Sequence, residues 1–296
     1  MSFKPYGVLP AMITPMGDSG KPCEKKLRNL IRYLLDNGVH GIFAMGTTGE
    51  FYAVSNEEYK EVLEITIDEV KGRVPVYAGA NHITTRGSIQ LAQIAEQAGV
   101  DALSVLTPMF ISPNQEQIYD HFATIAKSTS LPILLYNNKP KTHVDITPAT
   151  AARLADIKNI IGIKDSTGDL TNTAEYIRLT KGKDFHVLMG RDTLIHGGLC
   201  YGAAGAVAAC ANVAPRLCAN IYDKYMAGDV KGSLEDQYTL APLRIAFGIG
   251  TFPAVIKESL DLLGVPVGNC FAPVGPLKPE EREQVKKILI VMGLLD

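Results

Sequence analysis

The sequence contains no apolar run long enough to cross a bilayer and no excess of charge of one sign. Lys and Arg number 29 against 31 Asp and Glu among 296 residues, so the formal net charge is −2, and the pI is near 6.3. A membrane-spanning helix needs about 20 apolar residues in a row, and nucleic acids and anionic membranes are bound by basic surfaces. We therefore expect neither a membrane nor a nucleic acid as partner. Residues 1–5 have no signal-peptide pattern, which favours a cytoplasmic protein.

Cysteine pairs and nucleotide-binding motifs are also absent. The cysteines are odd in number, widely spaced and without a C-x-x-C pair: Cys23, Cys200, Cys210, Cys218 and Cys270. Such a set favours reduced thiols and argues against a disulfide framework or a zinc site, so no metal is expected. No G-x-G-x-x-G follows the first predicted strand, which argues against a dinucleotide-binding fold. No low-complexity linker divides residues 1–296, so we expect a single domain.

Short apolar runs alternate with longer amphipathic stretches along most of the chain. Runs typical of strands cover residues 7–14, 41–45, 75–79, 102–106, 132–136, 160–164, 186–189 and 205–209. Helical patterns between them include residues 24–37, 56–71, 85–98, 115–128 and 148–155. Apolar strands separated by helices predict a parallel sheet covered on both faces. Eight such units in one domain predict a (β/α)8 TIM barrel rather than a doubly wound sheet.

A C-terminal helical appendage is expected beyond the barrel. Three further helical patterns follow the eighth strand, near residues 214–227, 253–263 and 279–292. We assign the barrel to residues 7–227 and the C-terminal helices to residues 228–296.

Start and end signals support the helices predicted within the barrel. Helix start signals stand at Ser55 and Thr147, and helix end signals stand at Gly38, Gly72 and Gly99.

One lysine stands inside an apolar run that predicts a strand. Lys164 belongs to the run IIGIKDS, residues 160–166. Apolar surroundings favour a neutral amine, which is a nucleophile able to form a Schiff base with a carbonyl compound. The alternative is a lysine at a strand end whose side chain reaches water or pairs with Asp165 or Asp169.

Two further groups follow strands at the same end of the predicted barrel, where the active site of this fold is built. Tyr136 ends the fifth strand, and the loop GTTGE, residues 46–50, follows the second. Glycines allow a tight turn that leaves backbone N–H groups and two hydroxyls free to hold a carboxylate. Taken by itself, the loop is also compatible with an ordinary turn. Tyr136 taken by itself is compatible with an ordinary aromatic residue of the core. Together with Lys164 they supply what is needed to activate a 2-oxo acid.

The motifs GTTGE, YN at residues 136–137 and IGIKDS resemble those of the dihydrodipicolinate synthase / N-acetylneuraminate lyase family. The resemblance covers essentially the whole chain. It implies a metal-independent class I aldolase without a cofactor, commonly a homotetramer, in which the lysine forms a Schiff base with pyruvate. Lys164 would be that lysine and Tyr136 the proton shuttle. The remaining pyruvate-binding residues implied by the resemblance are Thr47, Thr48, Gly190 and Val207.

The sequence departs from the dihydrodipicolinate synthases at two positions. Those enzymes carry a tyrosine after the Thr-Pro of strand four, where this chain has Met109 and Phe110, and an arginine where it has Lys141. Lysine keeps the charge but loses the bidentate fork. The sialic acid lyases match no better. They tend to have the sequence GST where this chain has residues 46–48, and they carry an acidic residue at the position of Thr193. The sequence therefore favours cleavage of a 2-keto-3-deoxy sugar acid to pyruvate and an aldehyde.

Polar residues near the barrel mouth could bind hydroxyls or a second anionic group of the substrate. They are His82, Asn138, Lys141, His143, Arg191 and Asp192, with Arg191 and Asp192 favoured because they directly follow Gly190. Alternatives stay open: a dihydrodipicolinate synthase in which Lys141 replaces the arginine, a Schiff-base dehydratase, and a non-catalytic pyruvate-binding regulatory barrel. A phosphate-binding barrel using glycines at residues 197–198 and 202–205 is a further alternative.

Overall fold

Eight short parallel strands form one sheet that curves into a barrel. The computed structural model describes residues 3–296; Met1 and Ser2, part of the segment without a signal-peptide pattern, lie outside the described residues. The strands are β1 (Gly7–Pro10), β2 (Ile42–Ala44), β3 (Val76–Gly79), β4 (Ala102–Leu106), β5 (Ile133–Asn137), β6 (Ile160–Asp165), β7 (His186–Met189) and β8 (Gly205–Ala208). They lie in the order β1-β8-β7-β6-β5-β4-β3-β2. A parallel bridge between Ala11 and Phe43 joins the two ends, which confirms the predicted barrel.

Helices cover the outside of the barrel. Within the described residues they are α1 (Glu24–Asp36), α2 (Asn56–Val70), α3 (Thr85–Ala98), α4 (Gln115–Lys127), α5 (Lys139–Thr142), α6 (Pro148–Leu154), α7 (Leu170–Leu179), α8 (Ile195–Tyr201), α9 (Pro215–Met226), α10 (Val230–Ala246), α11 (Ala254–Leu262) and α12 (Pro279–Val291). The expected start signals are confirmed, since Ser55 caps α2 in a capping box with Glu58 and Thr147 caps α6. Side chains that bond the first free N–H groups of a helix stabilise its start.

Apolar side chains pack on both faces of the strands. The residues that fill the barrel interior are Leu9, Ala11, Phe43, Tyr77, Ala102, Leu134, Ile161, Leu188 and Val207. Side chains of the opposite face, such as Val8 and Val187, pack between strands and helices. Successive side chains of a strand point to opposite faces, so one apolar run serves both layers. Because these side chains fill the middle of the barrel, the space for a site lies at the C-terminal ends of the strands.

The first strand is shorter than predicted. The prediction extends to residue 14, whereas β1 ends at Pro10. Beyond that point the Asn212 side chain accepts a hydrogen bond from Ile13 N–H (3.0 Å) and donates one to Ala11 O (2.8 Å). Ala11 N–H still donates to Ala208 O (2.9 Å) and Met12 N–H to Phe43 O (2.9 Å), so the Asn212 side chain replaces strand pairing from Ile13 onward.

Four helices, rather than the predicted three, follow β8 within residues 3–296. The sequence pattern does not predict helix α10, because Pro242 lies inside it and its apolar residues form no strong stripe. A proline removes a backbone donor and argues against a helix when only the pattern is available. The division between barrel and appendage at residues 227 and 228 stays a prediction. None of the helices in the described part of the chain is long and apolar enough to cross a membrane.

Candidate active site

A cavity of about 290 Å³ opens at the C-terminal ends of the strands. The predicted site residues that line it are Thr47, Tyr136, Asn138, Lys141, Lys164, Gly190, Arg191, Asp192 and Val207. Further lining residues that the prediction did not assign to substrate include Ser166, Arg244, Phe247 and Phe252. A larger cavity of about 780 Å³ lies elsewhere, between the loop after β1 and residues 268–273, and Lys164 does not line it. Most of the residues predicted from sequence thus meet around one cavity.

Lys164 is buried at the base of this cavity. Its side chain is 3% exposed, and it lies beside Tyr136 on the neighbouring strand, the two residues being paired in register. The ammonium nitrogen, Nζ, is 4.0 Å from the centre of the Tyr136 ring and 4.6 Å from that of Phe43. Within residues 3–296 no carboxylate lies at ion-pair distance from it. The alternative of a lysine that reaches water or pairs with a neighbouring aspartate is therefore wrong.

Asp165, the next residue, is engaged elsewhere. Its carboxylate accepts hydrogen bonds from Thr173 Oγ1 (2.7 Å) and from the backbone N–H (3.0 Å) and Oγ1 (2.7 Å) of Thr167. Burial raises the pKa of this carboxyl group. The side chains of adjacent strand residues point to opposite faces, which places Asp165 outside the barrel and Lys164 inside.

Tyr136 is held by two polar neighbours. Its hydroxyl lies 3.3 Å from Thr47 Oγ1 and accepts a hydrogen bond from Asn138 Nδ2 (2.9 Å). Burial alone would raise the pKa of this phenol. The positive charge of Lys164 and hydrogen bonds with Thr47 and Ser166 outweigh that effect, so the pKa of the phenol lies below the ordinary value of tyrosine. The geometry favours a phenol that releases and regains its proton readily.

The loop after β2 is bracketed by two residues with left-handed backbones. Met45 has φ 55° and Glu50 has φ 56°, a conformation that costs a non-glycine residue about 1–2 kcal/mol. Such conformations persist where the surroundings hold them and are frequent at functional sites. Thr47 lines the cavity, whereas the Thr48 side chain is buried and does not line it. Within the described residues, the backbone N–H groups of both threonines donate to no protein acceptor.

Glu50 ties this loop to the C-terminal appendage. It is fully buried, with Oε1 2.6 Å from Lys257 Nζ and Oε2 accepting a hydrogen bond from Phe271 N–H (2.8 Å). Lys257, on α11, is 3% exposed and donates to Asn269 O (2.8 Å). Neither residue was assigned a role from sequence. The only sequence signal for Glu50 is its place in the GTTGE motif.

Gly190 and Ser166 bring the ends of β6 and β7 together. Gly190 N–H donates to Asp165 O (2.7 Å), and the Ser166 hydroxyl donates to Gly190 O (3.2 Å). A Cβ atom on Gly190 would lie 2.0 Å from Ser166 Oγ, which is too close for any side chain. The glycine is required by this approach, and Ser166 is a residue that the motif IGIKDS could have indicated.

Asp192 does not present a free carboxylate to a substrate. It is 2% exposed, its Oδ2 is 3.2 Å from Arg244 Nε, and its Oδ1 accepts a hydrogen bond from Cys210 N–H (2.7 Å). Both oxygens thus have protein partners, which corrects the expectation that Asp192 binds substrate hydroxyls. Arg191 faces the cavity, and burial together with the charge of Arg244 lowers the pKa of its guanidinium.

Two histidines and two glycines named from sequence lie away from the cavity. His82 Nδ1 accepts a hydrogen bond from Thr84 N–H (3.0 Å), and His143 ends α5; neither lines the cavity. Gly197 and Gly198 lie inside α8, so they form no phosphate-binding loop. Within residues 3–296 no cluster of three His, Cys, Asp or Glu side chains could hold a metal ion.

Comparisons with known proteins agree with this architecture. A model of the dihydrodipicolinate synthetase family matches residues 4–291. A Bartonella bacilliformis protein named 4-hydroxy-tetrahydrodipicolinate synthase is 41% identical over 290 residues, covering 98% of each chain. A Methanothrix thermoacetophila protein of the same name is 38% identical, covering 97% of each.

Solved structures agree over the same length. The dihydrodipicolinate synthase of Thermotoga maritima superposes with a TM-score of 0.95 at 33% identity, covering 98% of this chain and 99% of that one. An E. coli K12 prophage protein of the dihydrodipicolinic acid synthase family, solved with pyruvate, superposes with a TM-score of 0.95 at 34% identity and with the same coverage. The match in sequence extends over nearly the whole chain. The protein belongs to the dihydrodipicolinate synthetase family, whose members are metal-independent class I lyases and synthases.

Proposed function

We propose that the protein condenses pyruvate with an aldehyde through a Schiff base on Lys164, and that aspartate semialdehyde is its acceptor. The observation that carries the proposal is a buried lysine with no carboxylate partner within residues 3–296, next to a phenol of lowered pKa. Aspartate semialdehyde is preferred over the sugar acids favoured from sequence, because the relatives are named 4-hydroxy-tetrahydrodipicolinate synthases. The enzyme thus has pyruvate and an aldehyde as partners.

The pyruvate carboxylate would lie against the loop after β2. The Thr47 hydroxyl and the unpaired N–H groups of Thr47 and Thr48 are suited to hold it. Gly190 and Val207 line the same cavity and leave room for the pyruvate carbons. With its carboxylate held there, the C2 carbonyl would face Lys164.

The reaction begins when the Lys164 amine adds to C2 of pyruvate. The resulting carbinolamine loses its hydroxyl as water after receiving a proton from Tyr136, which leaves a protonated imine. The Tyr136 phenolate then takes a proton from C3 and produces an enamine. Asn138 and Thr47 hold the phenol through both transfers.

The enamine carbon next attacks the aldehyde. A carbon–carbon bond forms, the aldehyde oxygen takes up the proton that Tyr136 removed from C3, and the protonated imine is regenerated. With aspartate semialdehyde, the substrate's own amine then displaces Lys164 and closes a ring. The protonated imine is the electron sink throughout, so the proposed reaction needs no metal or organic cofactor.

Borohydride trapping tests the Schiff base. The purified protein is incubated with pyruvate, reduced and weighed by mass spectrometry, with Lys164→Met and the exposed Lys139→Met compared in parallel. We expect a covalent adduct on the wild type and on Lys139→Met and none on Lys164→Met. Absence of an adduct on the wild type, or its persistence in Lys164→Met, would overturn the proposal. An adduct without turnover of any aldehyde would indicate the non-catalytic regulatory barrel instead.

A second candidate is cleavage of a 2-keto-3-deoxy sugar acid. It is favoured by Phe110, which is 93% exposed and offers no hydroxyl, and by Lys141 at the position of the family's arginine. Rates with aspartate semialdehyde and pyruvate should be compared with rates of 2-keto-3-deoxygluconate cleavage. A higher kcat/KM for the sugar acid would replace aspartate semialdehyde as the substrate and leave the Schiff base untouched. A product that lacks water but keeps all carbons would indicate a dehydratase.

We also propose a homotetramer, as the family resemblance implies. Apolar residues stand exposed after β4, with Phe110 93% and Ile111 62% exposed, and burial of such side chains drives association. Sedimentation equilibrium should give four times the chain mass; a monomer would refute the proposal. The cytoplasmic location stays a prediction.

A further inference from the structure

Asn138 stands at the start of helix α5 but does not cap it. The residue occupies the N-cap position, and its side chain makes no capping hydrogen bond. An asparagine at this position normally uses its side-chain oxygen to bond a free N–H group of the first turn. Asn114 does so at the start of α4, where Oδ1 accepts a hydrogen bond from Gln117 N–H (3.0 Å). The side chain of Asn138 is committed to a different contact.

That contact is with the hydroxyl group of Tyr136. Asn138 Nδ2 donates a hydrogen bond to the phenol oxygen over 2.9 Å, and the residue is buried at the wall of the cavity. An amide N–H group donates and cannot accept the phenol proton. The proton therefore stays available for transfer, with Thr47 Oγ1 as its neighbour at 3.3 Å.

The backbone of Asn138 is fixed independently of its side chain. Asn138 O accepts hydrogen bonds from Lys141 N–H (2.9 Å) and Thr142 N–H (3.0 Å). The buried Thr142 hydroxyl in turn accepts one from Thr107 Oγ1 (3.0 Å), which directly follows β4. Bonds of this kind behind a functional side chain hold it in one orientation. The first turn of α5 is thus tied to the end of β4, which keeps Asn138 beside Tyr136.

We propose that Asn138 is a positioning residue for the proton transfers of Tyr136. Its N–H group orients the phenol and stabilises the phenolate that forms when the proton leaves, because a hydrogen bond to a charged oxygen is stronger than one to a neutral oxygen. The proposal rests on the Schiff-base function proposed above and identifies the residue that orients its acid and base. The helix gives up a side-chain cap, and the active site gains a fixed donor.

Hydrogen exchange at C3 of pyruvate isolates the step in which Tyr136 acts as base. In D2O the enamine takes up deuterium at C3, and hydrolysis of the imine returns deuterated pyruvate, so no acceptor is needed. Proton NMR follows the exchange, and the borohydride-trapped adduct reports the Schiff base itself. Because the phenolate removes the C3 proton, the rate should rise with pH through the pKa of Tyr136. The charge of Lys164, which also lowers this pKa, is present in every variant compared.

Asn138→Leu is the main test, since it keeps a side chain of similar size and removes the donor. A hydrogen bond to a charged group is worth about tenfold or more, so the exchange rate per trapped adduct should fall about tenfold at neutral pH. The midpoint of the rate–pH profile should move about one pH unit higher, and alkaline pH should restore most of the rate. Asn138→Gln, which keeps an amide donor, should retain part of the rate at neutral pH.

Asn138→Asp tests the direction of the hydrogen bond. A carboxylate offers acceptors only, and its charge beside the phenol raises the pKa of Tyr136 further. The exchange rate per trapped adduct should therefore be lower than in Asn138→Leu. A wild-type rate in Asn138→Asp would show that residue 138 accepts the phenol proton, and it would refute the proposal.

Asn114→Leu is the matched control, because Asn114 is a capping asparagine that does not line the cavity. It should lower the temperature of thermal unfolding and leave the exchange rate unchanged. Asn138→Leu should show the reverse, since no capping bond is lost.

The outcomes separate this proposal from the one on which it rests. Absence of a pyruvate adduct on the wild type would refute the Schiff base, and the role of Asn138 with it. A normal adduct with an unchanged exchange rate in Asn138→Leu would refute the positioning role alone. A loss of rate in that variant that alkaline pH does not restore would also refute it, because the defect would then lie in packing.

Discussion

Lys164 and Lys257 are equally buried, at 3% exposure each, yet their surroundings differ completely. Lys257 lies 2.6 Å from a Glu50 carboxylate oxygen and donates to a backbone carbonyl 2.8 Å away. Lys164 faces the rings of Tyr136 and Phe43, lines an open cavity and has no carboxylate at ion-pair distance in residues 3–296.

The comparison shows that burial alone does not identify a reactive lysine. The charge of Lys257 is matched by a carboxylate, so its role is to hold the β2 loop against α11. The amine of Lys164 has no such partner, and the cavity beside it admits a carbonyl compound. A buried amine that has access to a cavity but lacks a counter-ion is suited to nucleophilic chemistry.

The sharpest test of the comparison is Lys164→Met. Loss of the nucleophile should lower kcat/KM at least about 10³-fold. Because no ion pair is broken, the free energy of unfolding should change by about 1 kcal/mol or less. Steady-state kinetics and urea unfolding measure the two quantities. A large loss of stability with retained activity would give Lys164 the structural role assigned to Lys257.

Lys257→Met should have the opposite profile. It leaves the Glu50 carboxylate buried without its partner, which should cost about 3–5 kcal/mol in the free energy of unfolding. The adduct should still form on Lys164, with a higher KM for pyruvate because the loop is less well held. The double variant Glu50→Gln/Lys257→Met should recover part of the stability, since no buried charge remains. Equal stability of the single and double variants would contradict this account of the pair.

Tyr136→Phe separates proton transfer from Schiff-base formation. A positioned acid and base contributes about 100-fold or more, so kcat should fall by about that factor while slow trapping of pyruvate persists. Tyr77→Phe, another buried tyrosine of the barrel interior, is the matched control. Equal losses of kcat in the two variants would mean that Tyr136→Phe acts by disturbing the packing of the barrel interior.

The smallest expected effect concerns pH. Activity that needs the Tyr136 proton is lost as the pH rises through the pKa of that phenol, and this pKa is lowered in part by the hydrogen bond with Thr47. Thr47→Val removes the bond, so the pKa should rise and the basic limb of the pH–kcat profile should move to higher pH. Thr47→Ser keeps a hydroxyl and should leave the limb in place. A shift to lower pH in Thr47→Val would contradict the assignment.

Much of the fold follows from local pattern. Helix α3 has the bounds predicted for it, and the start signals at Ser55 and Thr147 cap real helices. These features depend on residues close together in the chain, where period and capping chemistry are visible. Lys164 and Tyr136 could be placed for the same reason, since the end of a barrel strand fixes where a side chain points.

What sequence reasoning missed depends on contacts between distant segments. Nothing local shows that Lys257 meets Glu50, or that Arg244 reaches Asp192, because each pair joins the appendage to a loop of the barrel. Helix α10 was itself unpredicted, and Arg244 could not be considered without it. The sequence suggests that Asp192 binds the substrate, because its protein partners lie in distant segments that come close to it only in the folded chain.

The appendage has a consequence for how such enzymes can diverge. Helices α10 and α11 are consecutive, and one contributes Arg244 to the cavity while the other contributes Lys257 to the loop. A chimera that imported residues 230–262 from a relative would therefore exchange a positive charge at the cavity and the anchor of the β2 loop in one step. An incoming segment would leave Glu50 buried without its partner unless it also brought a lysine at position 257.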